Sequence, residues 1–305
     1  MLAFYYIPLH IQYNMPTQEN MDQTTDNKTQ EIGPNYIDLK KILAAKGVKV
    51  GPLMRILMER LLHVKDLNSG IYKNRDKFGL DFVDAFFYGD LNITVDVIHP
   101  ERIPAEGFPI VAGNHPLGGP DGLALMGAIG KYRKDILFPV NDFLMHLPGL
   151  KSLFVPIDKV NKNKNIEALE NAFSGENTLL YFPAGMCSRL QGKEIKDLEW
   201  KPTFIKKAIR YKRDIIPVLF EARNRRRFYL LANLRKHLGI KFNFEMALLP
   251  GEMFAQKGKT FRLTIGKTIP YSTFDNRHNA KEWAELLRNY VYKLKDNPDL
   301  EFHHE

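Results

Sequence analysis

A single cysteine, Cys187, stands in a chain of 305 residues. No intrachain disulfide can form, and a reducing compartment fits. The His or Asn pattern typical of thiol hydrolases does not accompany it, so Cys187 reads as structural rather than nucleophilic. Long apolar runs are missing as well. Nothing reaches the ~18 uninterrupted apolar residues that a membrane-spanning helix needs, and the expectation is a soluble or peripheral protein. The apolar opening, residues 1–10, is short, lacks a basic start and contains Pro8, which makes it a poor signal peptide. The chain has no helix-turn-helix signal, zinc-finger spacing or aromatic ribonucleoprotein motif, and these absences set nucleic acid aside as a partner. It has no Gly-x-Ser-x-Gly elbow to support a serine hydrolase, and no internal repeat or extended heptad array.

Positive charge is in excess. Forty-four Lys and Arg against 35 Asp and Glu give a formal net charge of +9. The excess is clustered at Lys206-Lys207, at Arg210-Tyr211-Lys212-Arg213 and in residues 223–227. Such patches attract anionic partners, here anionic lipid headgroups or an acidic carrier protein, with a merely solvated basic face as the alternative.

With 44% hydrophobic residues and no composition shift, the chain has enough apolar material for one large core. Residues 1–35 read as a flexible segment, polar from residue 14 onward. Residues 36–90 read as a helical region. Within it, residues 53–64 confine much of their polarity to Arg55, Glu59 and His63, leaving a wide apolar arc that is expected to pack against the domain rather than lie on a bilayer. From residue 91 to 275, strand signals alternate with helical ones, at 91–98, 108–112, 136–140, 152–157, 178–182, 215–220 and 260–265. Between them, Ile166, Leu169 and Phe173 share one helical face, as do Phe204, Ile205, Ala208 and Ile209. The expected fold is α/β, a mixed and mostly parallel sheet covered by helices, whose strand-end loops carry the site. Residues 276–305 add a C-terminal helix and tail, with Trp283, Leu286, Leu287, Tyr290, Val291 and Leu294 as its apolar stripe.

The stretch Asn114-His115-Pro116-Leu117-Gly118-Gly119-Pro120-Asp121-Gly122 follows an apolar strand and places a histidine and a carboxylate on one glycine-rich turn. Imidazole, with an ordinary pKa near ~6.5, suits the removal of a hydroxyl proton at neutral pH. The glycines give the backbone freedom to fold Asp121 back toward His115. Asp121 is expected to cap the following helix while its second oxygen faces the ring.

Four segments, in order over residues 85–275, resemble the glycerolipid acyltransferases, also called lysophospholipid or PlsC-like acyltransferases. Asn114-His115 with Asp121 resembles the family's His-Asp motif. Phe154-Val155-Pro156-Ile157-Asp158-Lys159 resembles the block that binds an acceptor phosphate. Phe182-Pro183-Ala184-Gly185-Met186-Cys187-Ser188-Arg189 resembles the Phe-Pro-Glu-Gly block, and Ile215-Ile216-Pro217-Val218 the Val-Pro-Val block.

The resemblance implies that a fatty acyl group passes from a thioester of acyl carrier protein or coenzyme A to a lipid hydroxyl. His115 is the implied base and Asp121 its orienting acid. Attack is direct, with no covalent acyl-enzyme, metal or cofactor implied. Oxyanion donors fall either around Gly185 or in the Gly118-Gly119 turn. Asn114, Gly118, Gly119, Asp158, Lys159, Phe182, Pro183, Gly185, Ser188 and Arg189 are the implied substrate-binding residues.

Three departures from the family pattern bear on the acceptor. Five residues rather than four separate His115 from Asp121. Ala184 replaces the glutamate, with the arginine displaced to Arg189. Lys159 replaces an arginine, which keeps a point charge and loses bidentate phosphate recognition. The combination more closely resembles the hemolysin-like branch, to which O-acyltransferases of bacterial aminolipid synthesis belong. A lyso-aminolipid acceptor, lyso-ornithine or lyso-glycine lipid, therefore ranks above 1-acylglycerol-3-phosphate. The implied location is peripheral, on the cytoplasmic face of the inner membrane against its anionic surface. The rival readings are a catalytically silent lipid-binding relative and a hydrolase that turns the same base on water.

Overall fold

The computed structural model describes residues 36–45, 47–140, 144–157 and 162–303. The expected flexible segment 1–35, together with Asp158 and Lys159, lies outside the described residues. Four helices open the chain, α1 (Leu39–Ala45), α2 (Pro52–Leu61), α3 (Val64–Lys73) and α4 (Leu80–Val83), the last running into a π-helical turn at Asp84–Asp90. Then come β1 (Thr94–Ile98), β2 (Ile110–Gly113), α5 (Pro120–Gly130), β3 (Ile136–Val140), β4 (Phe154–Pro156), α6 (Lys162–Ser174) and β5 (Thr178–Tyr181). A hairpin of β6 (Arg189–Gln191) and β7 (Glu194–Lys196) precedes α7 (Thr203–Tyr211), β8 (Ile215–Glu221), α8 (Arg226–His237), α9 (Leu249–Phe254), β9 (Thr260–Ile265) and α10 (Ala280–Lys293).

Seven strands form one sheet in the order β1-β9-β8-β2-β5-β3-β4. Every pairing is parallel except β8 with β9. Each of the seven predicted strands is present, and the mixed, mostly parallel class is observed. The β6–β7 hairpin, paired antiparallel outside the sheet, was not foreseen. Its strands are three residues each, too short for a period-2 pattern to register.

The sheet is covered on both faces, which is why β2 and β8 read as continuous apolar runs. On one face Val111, Leu180, Ile216 and Val218 pack with α5 and with Phe82, Val83, Phe86 and Phe87 from the N-terminal helices. That helical region therefore shares the main core. On the other face Ile110, Ala112, Leu179 and Ile215 pack with Phe173 of α6, Phe204 and Ile205 of α7, and Trp283, Leu287 and Val291 of α10. The C-terminal stripe is buried as expected, and a reciprocal capping box of Asn279 and Glu282 starts its helix. Ile166 and Ile209 instead face outward, because each lies at the margin of its helical stripe.

One expectation is overturned. Helix α2 buries none of its residues, and its apolar arc stands in the open. Sequence periodicity locates such an arc but does not say what covers it; here the neighbouring α3 meets the body instead, through Val64 and Ile71.

Candidate active site

β2 is the middle strand, and its C-terminal end lies between those of β8 and β5. Parallel neighbours release their chains at the same edge, so three loops converge there. Gly113 sits opposite Val218, where a Cβ would stand only 2.5 Å from the Val218 side chain. Asn114 then prolongs the ladder with its side chain. Its Nδ2 donates to the Phe220 carbonyl (3.0 Å) and the Phe220 N–H donates to its Oδ1 (2.7 Å). Asn114 thus positions the turn by pinning β2 to β8, and both ends of its amide are occupied by backbone.

His115 is held at ring and backbone. Its Nδ1 lies 2.9 Å from Asp121 Oδ2. Its ring stacks on Phe182 at 4.3 Å between centroids and 20° between planes. Its N–H donates to the Asp197 carboxylate (3.1 Å), and its carbonyl accepts from the Ser188 N–H (2.7 Å). The Nδ1 contact fixes the tautomer: the proton sits on Nδ1, facing the carboxylate, and Nε2 is the basic nitrogen. The side chain keeps 17% of its surface exposed, whereas that of Asp121 keeps none.

Asp121 lies one residue inside α5, whose N-cap is Gly119. The expected cap is therefore replaced by another arrangement. Oδ2 accepts from Leu117 N–H (2.8 Å) and Gly118 N–H (3.2 Å) as well as from His115, while Oδ1 accepts from Gly122 N–H (3.0 Å). The extra residue between His115 and Asp121 is absorbed where Gly118 takes φ +88, a conformation that favours glycine. A Cβ at Gly118 would also meet Leu249 at 2.8 Å. Asn224, unremarked in the sequence, closes the turn from outside through Pro116 and Leu117 carbonyls.

The electrostatics follow from burial and charge. Burial disfavours the imidazolium of His115, but the Asp121 charge and hydrogen bond, with Asp197 adding at longer range, outweigh it and raise its pKa above the ordinary histidine value. Burial likewise opposes ionisation of Asp121. The imidazolium and the Leu117 and Gly118 N–H groups overcome that and hold its carboxyl below the usual range. Asp197 moves the other way, raised because burial outweighs its bonds from Ser188, Trp200 and His115.

Asp197 is the site residue that sequence reading missed. It is fully buried, and it accepts from the Ser188 hydroxyl (2.6 Å) and the Trp200 indole (2.9 Å) besides the His115 N–H. Its neighbours Glu194, Lys196 and Glu199 are exposed or half-exposed, so no local pattern distinguished it. Only the β6–β7 hairpin carries it under His115.

Ser188 is therefore engaged with Asp197 rather than with the imidazole. Arg189 is turned away too. Its guanidinium is buried against Glu245 (3.2 Å), lies over the Phe228 ring and donates to the Cys187 carbonyl. It ties the hairpin to α8 and the loop before α9 and does not present itself to an acceptor headgroup. Burial pushes the Cys187 thiol up to about 11, which leaves it inert. Pro183 and Ala184 are buried, and Gly185 turns the chain at φ +66. The exposed Lys201 brings its ammonium within 3.0 Å of where a Gly185 Cβ would stand. Among the two expected sources of oxyanion donors, the Gly185 N–H bonds the Phe182 carbonyl and the Gly118 N–H bonds Asp121. Gly119, at the N-terminus of α5, has nothing within 4 Å of where its Cβ would project.

A sequence profile described as Acyltransferase matches residues 44–301. The chain belongs to the acyltransferase family. This acyltransferase is 43% identical over 265 residues to the lyso-glycine lipid O-acyltransferase of Phocaeicola vulgatus, covering 85% of this chain and 95% of that one. It is 42% identical over 265 residues to the protein of the same name from Bacteroides thetaiotaomicron, covering 85% and 97% respectively. Among solved structures it is similar to the 1-acyl-sn-glycerophosphate acyltransferase PlsC of Thermotoga maritima, with a TM-score of 0.45, 19% identity, and coverage of 71% of this chain and 79% of that one. Among the described residues, no helix of the acyltransferase is long and apolar enough to cross a membrane.

Proposed function

We propose that the enzyme moves a fatty acyl group from a thioester to the hydroxyl of a lyso-aminolipid, with a lyso-glycine lipid as the acceptor. The observation that carries the chemistry is the 2.9 Å contact between His115 Nδ1 and Asp121 Oδ2, which leaves Nε2 as the base. Neither side-chain nucleophile of the adjoining block competes for that nitrogen, since Cys187 is buried with a raised pKa and the Ser188 hydroxyl donates to Asp197. The nucleophile is thus the acceptor itself.

The step balances simply. Nε2 takes the hydroxyl proton as the oxygen forms its bond to the thioester carbon. The carbonyl pair becomes an oxyanion, which the Gly119 N–H and the N-terminal dipole of α5 favour. The C–S bond then breaks, and the imidazolium returns its proton to the departing thiol. Asp121 stabilises the imidazolium between these events. No group beyond the thioester co-substrate, on acyl carrier protein or coenzyme A, enters the scheme. The acceptor assignment rests on the name shared by the two relatives of 42–43% identity and on the absent Phe-Pro-Glu-Gly glutamate. Lys201, beside Gly185, supplies the cation for a headgroup carboxylate. The acceptor partitions into lipid, so the enzyme works peripherally at an anionic membrane, on the cytoplasmic face where the thioester donors are made.

The test is an acylation assay with radiolabelled acyl thioester, offering lyso-glycine lipid and 1-acylglycerol-3-phosphate in parallel, with His115→Ala as control. Label in the O-acylated glycine lipid, absent in the variant, is the expected result. Label in the glycerophosphate product alone overturns the acceptor assignment. Label as free fatty acid overturns the transferase chemistry in favour of hydrolysis.

A further inference from the structure

The apolar stripe of α10 buries Trp283, Leu287 and Val291 in the core. It does not account for Arg288 and Tyr292, which stand four residues apart and so share a neighbouring face of the same helix. That face meets the chain just after β7. The Asp197 N–H donates to the Tyr292 hydroxyl (2.7 Å), and the Arg288 guanidinium donates to the carbonyls of Asp197 (3.3 Å) and Leu198 (3.1 Å). Gln191 of β6 donates to the Asp197 carbonyl as well (3.0 Å). Both backbone polar groups of Asp197 are therefore held, and α10 supplies a partner for each.

The carboxylate of Asp197 carries the connection onward. It accepts from the His115 N–H, the Ser188 hydroxyl and the Trp200 indole. Ser188 closes the loop, since its N–H donates to the His115 carbonyl and its hydroxyl also lies against that of Tyr292. Both polar groups of the His115 backbone thus rest on residues 188 and 197, and residue 197 rests on α10. Burial raises the pKa of the Tyr292 phenol well above its ordinary value, so the hydroxyl stays neutral. A buried network whose members are all partnered fixes one geometry, and removing one member leaves another unmet.

We propose that Tyr292 and Arg288 are positioning residues for acyl transfer: acting through Asp197, they set where the His115 backbone lies and hence where Nε2 meets the acceptor hydroxyl. The proposal rests on the reading of His115 as the base, and adds to it a part for the C-terminal helix. A base displaced by ~1 Å can lose up to about 10²-fold in rate. Substrate affinity depends on other contacts, so the loss belongs in kcat rather than KM.

The test compares Tyr292→Phe and Arg288→Met with Tyr290→Phe. Tyr290 lies on the same helix and donates its hydroxyl to the Leu300 carbonyl (2.8 Å), a bond that holds the C-terminal tail rather than Asp197. All three variants should melt at a lower temperature. For lyso-lipid acylation, kcat should fall about tenfold in Tyr292→Phe and Arg288→Met with little change in KM, and should hold in Tyr290→Phe.

A second measurement needs no substrate. Nuclear magnetic resonance of the full chain, with its histidines labelled with heavy nitrogen and the His115 signals assigned through His115→Gln, reads the titration midpoint of that ring. The charged groups that act on the ring are Asp121 of α5 and Asp197, which raise its pKa, and Arg189 of β6, which opposes them. Arg288, paired with Glu285 (2.5 Å), holds the Asp197 backbone. Tyr292→Phe changes no charge. By loosening Asp197 it should move the His115 midpoint to lower pH, whereas Tyr290→Phe should leave the midpoint in place. A midpoint that stays put in Tyr292→Phe, wild-type kcat in both variants, a rise in KM alone, or the same losses in Tyr290→Phe would each overturn the proposal. A midpoint that moves in a chain that transfers no acyl group upholds the link from α10 to His115 and sinks the functional reading instead.

Discussion

Replacing Asp121 by Asn keeps the size of the side chain and removes its charge, which isolates what the carboxylate does for His115. Four donors converge on Asp121: His115 Nδ1, and the N–H groups of Leu117, Gly118 and Gly122. An amide offers one acceptor oxygen where the carboxylate offered two. If that oxygen stays with Leu117, Gly118 and His115, the amide NH2 faces the Gly122 N–H. If it turns to Gly122, the NH2 faces the imidazole and forces the proton onto Nε2, destroying the base. Both outcomes remove the charge that stabilises the imidazolium. The rate should fall by about 10²–10⁴, the usual share of a general base.

Stability should change much less. A hydrogen bond to a charged group contributes ~1 kcal/mol more than a neutral one, and relief from burying a charge offsets part of that loss. The expected net destabilisation is about 0–2 kcal/mol.

The pH dependence has a definite sign. The pKa of His115 is raised in the folded state, and Asp121 is the chief raising cause. Without the carboxylate it falls, so the acid limb of kcat/KM moves to lower pH. A group whose folded pKa is raised stabilises the fold below its unfolded value, ~6.5, and loses that contribution as pH rises through the folded value. That loss on the alkaline side should flatten in Asp121→Asn. The assay is kcat/KM for lyso-lipid acylation against pH, with thermal melts over the same range. A variant within threefold of the wild type, or one whose acid limb moves to higher pH, would refute the base–acid assignment.

Three further outcomes follow from the geometry. Asp197→Asn, which removes the longer-range charge without touching the ring, should move the acid limb of kcat/KM in the same direction by a smaller amount, a pH shift that a purely structural residue would not produce. Arg189→Met leaves the buried Glu245 with Arg235 alone and should destabilise the fold by about 3 kcal/mol, seen as a lower melting temperature that Glu245→Gln in the same chain partly restores. Lys201→Met should raise KM for a carboxylate-bearing acceptor several-fold with little change in kcat; an equal effect on thioester KM alone would assign the lysine to the donor instead.

The sheet was legible in the sequence because strands buried on both faces need continuous apolar runs, and 108–112 and 215–220 could hardly be read otherwise. The His115–Asp121 pair was legible for a similar reason: five intervening residues, two of them glycine, allow few ways for the two side chains to miss each other. Arg189 was misleading. Beside the Phe-Pro-Ala-Gly turn its charge suggests a headgroup, but the sequence gives no sign of Glu245, fifty-six residues on and fully buried. Asp197 was illegible for the same reason, since a carboxylate in a polar stretch carries no mark of where its hairpin will fold.

Sequence alone determined the local features: which residues form the site turn, the histidine with a carboxylate beside it, and the α/β class that puts them at strand ends. Those properties are local, set by neighbours in the chain and by apolar period. Tertiary structure decided what every long-range charge is for. It turned Arg189 inward, set Asp197 beneath the backbone of His115 and left the apolar arc of α2 uncovered. Burial and charge pairing depend on residues far apart in sequence, and only the folded chain brings those residues together.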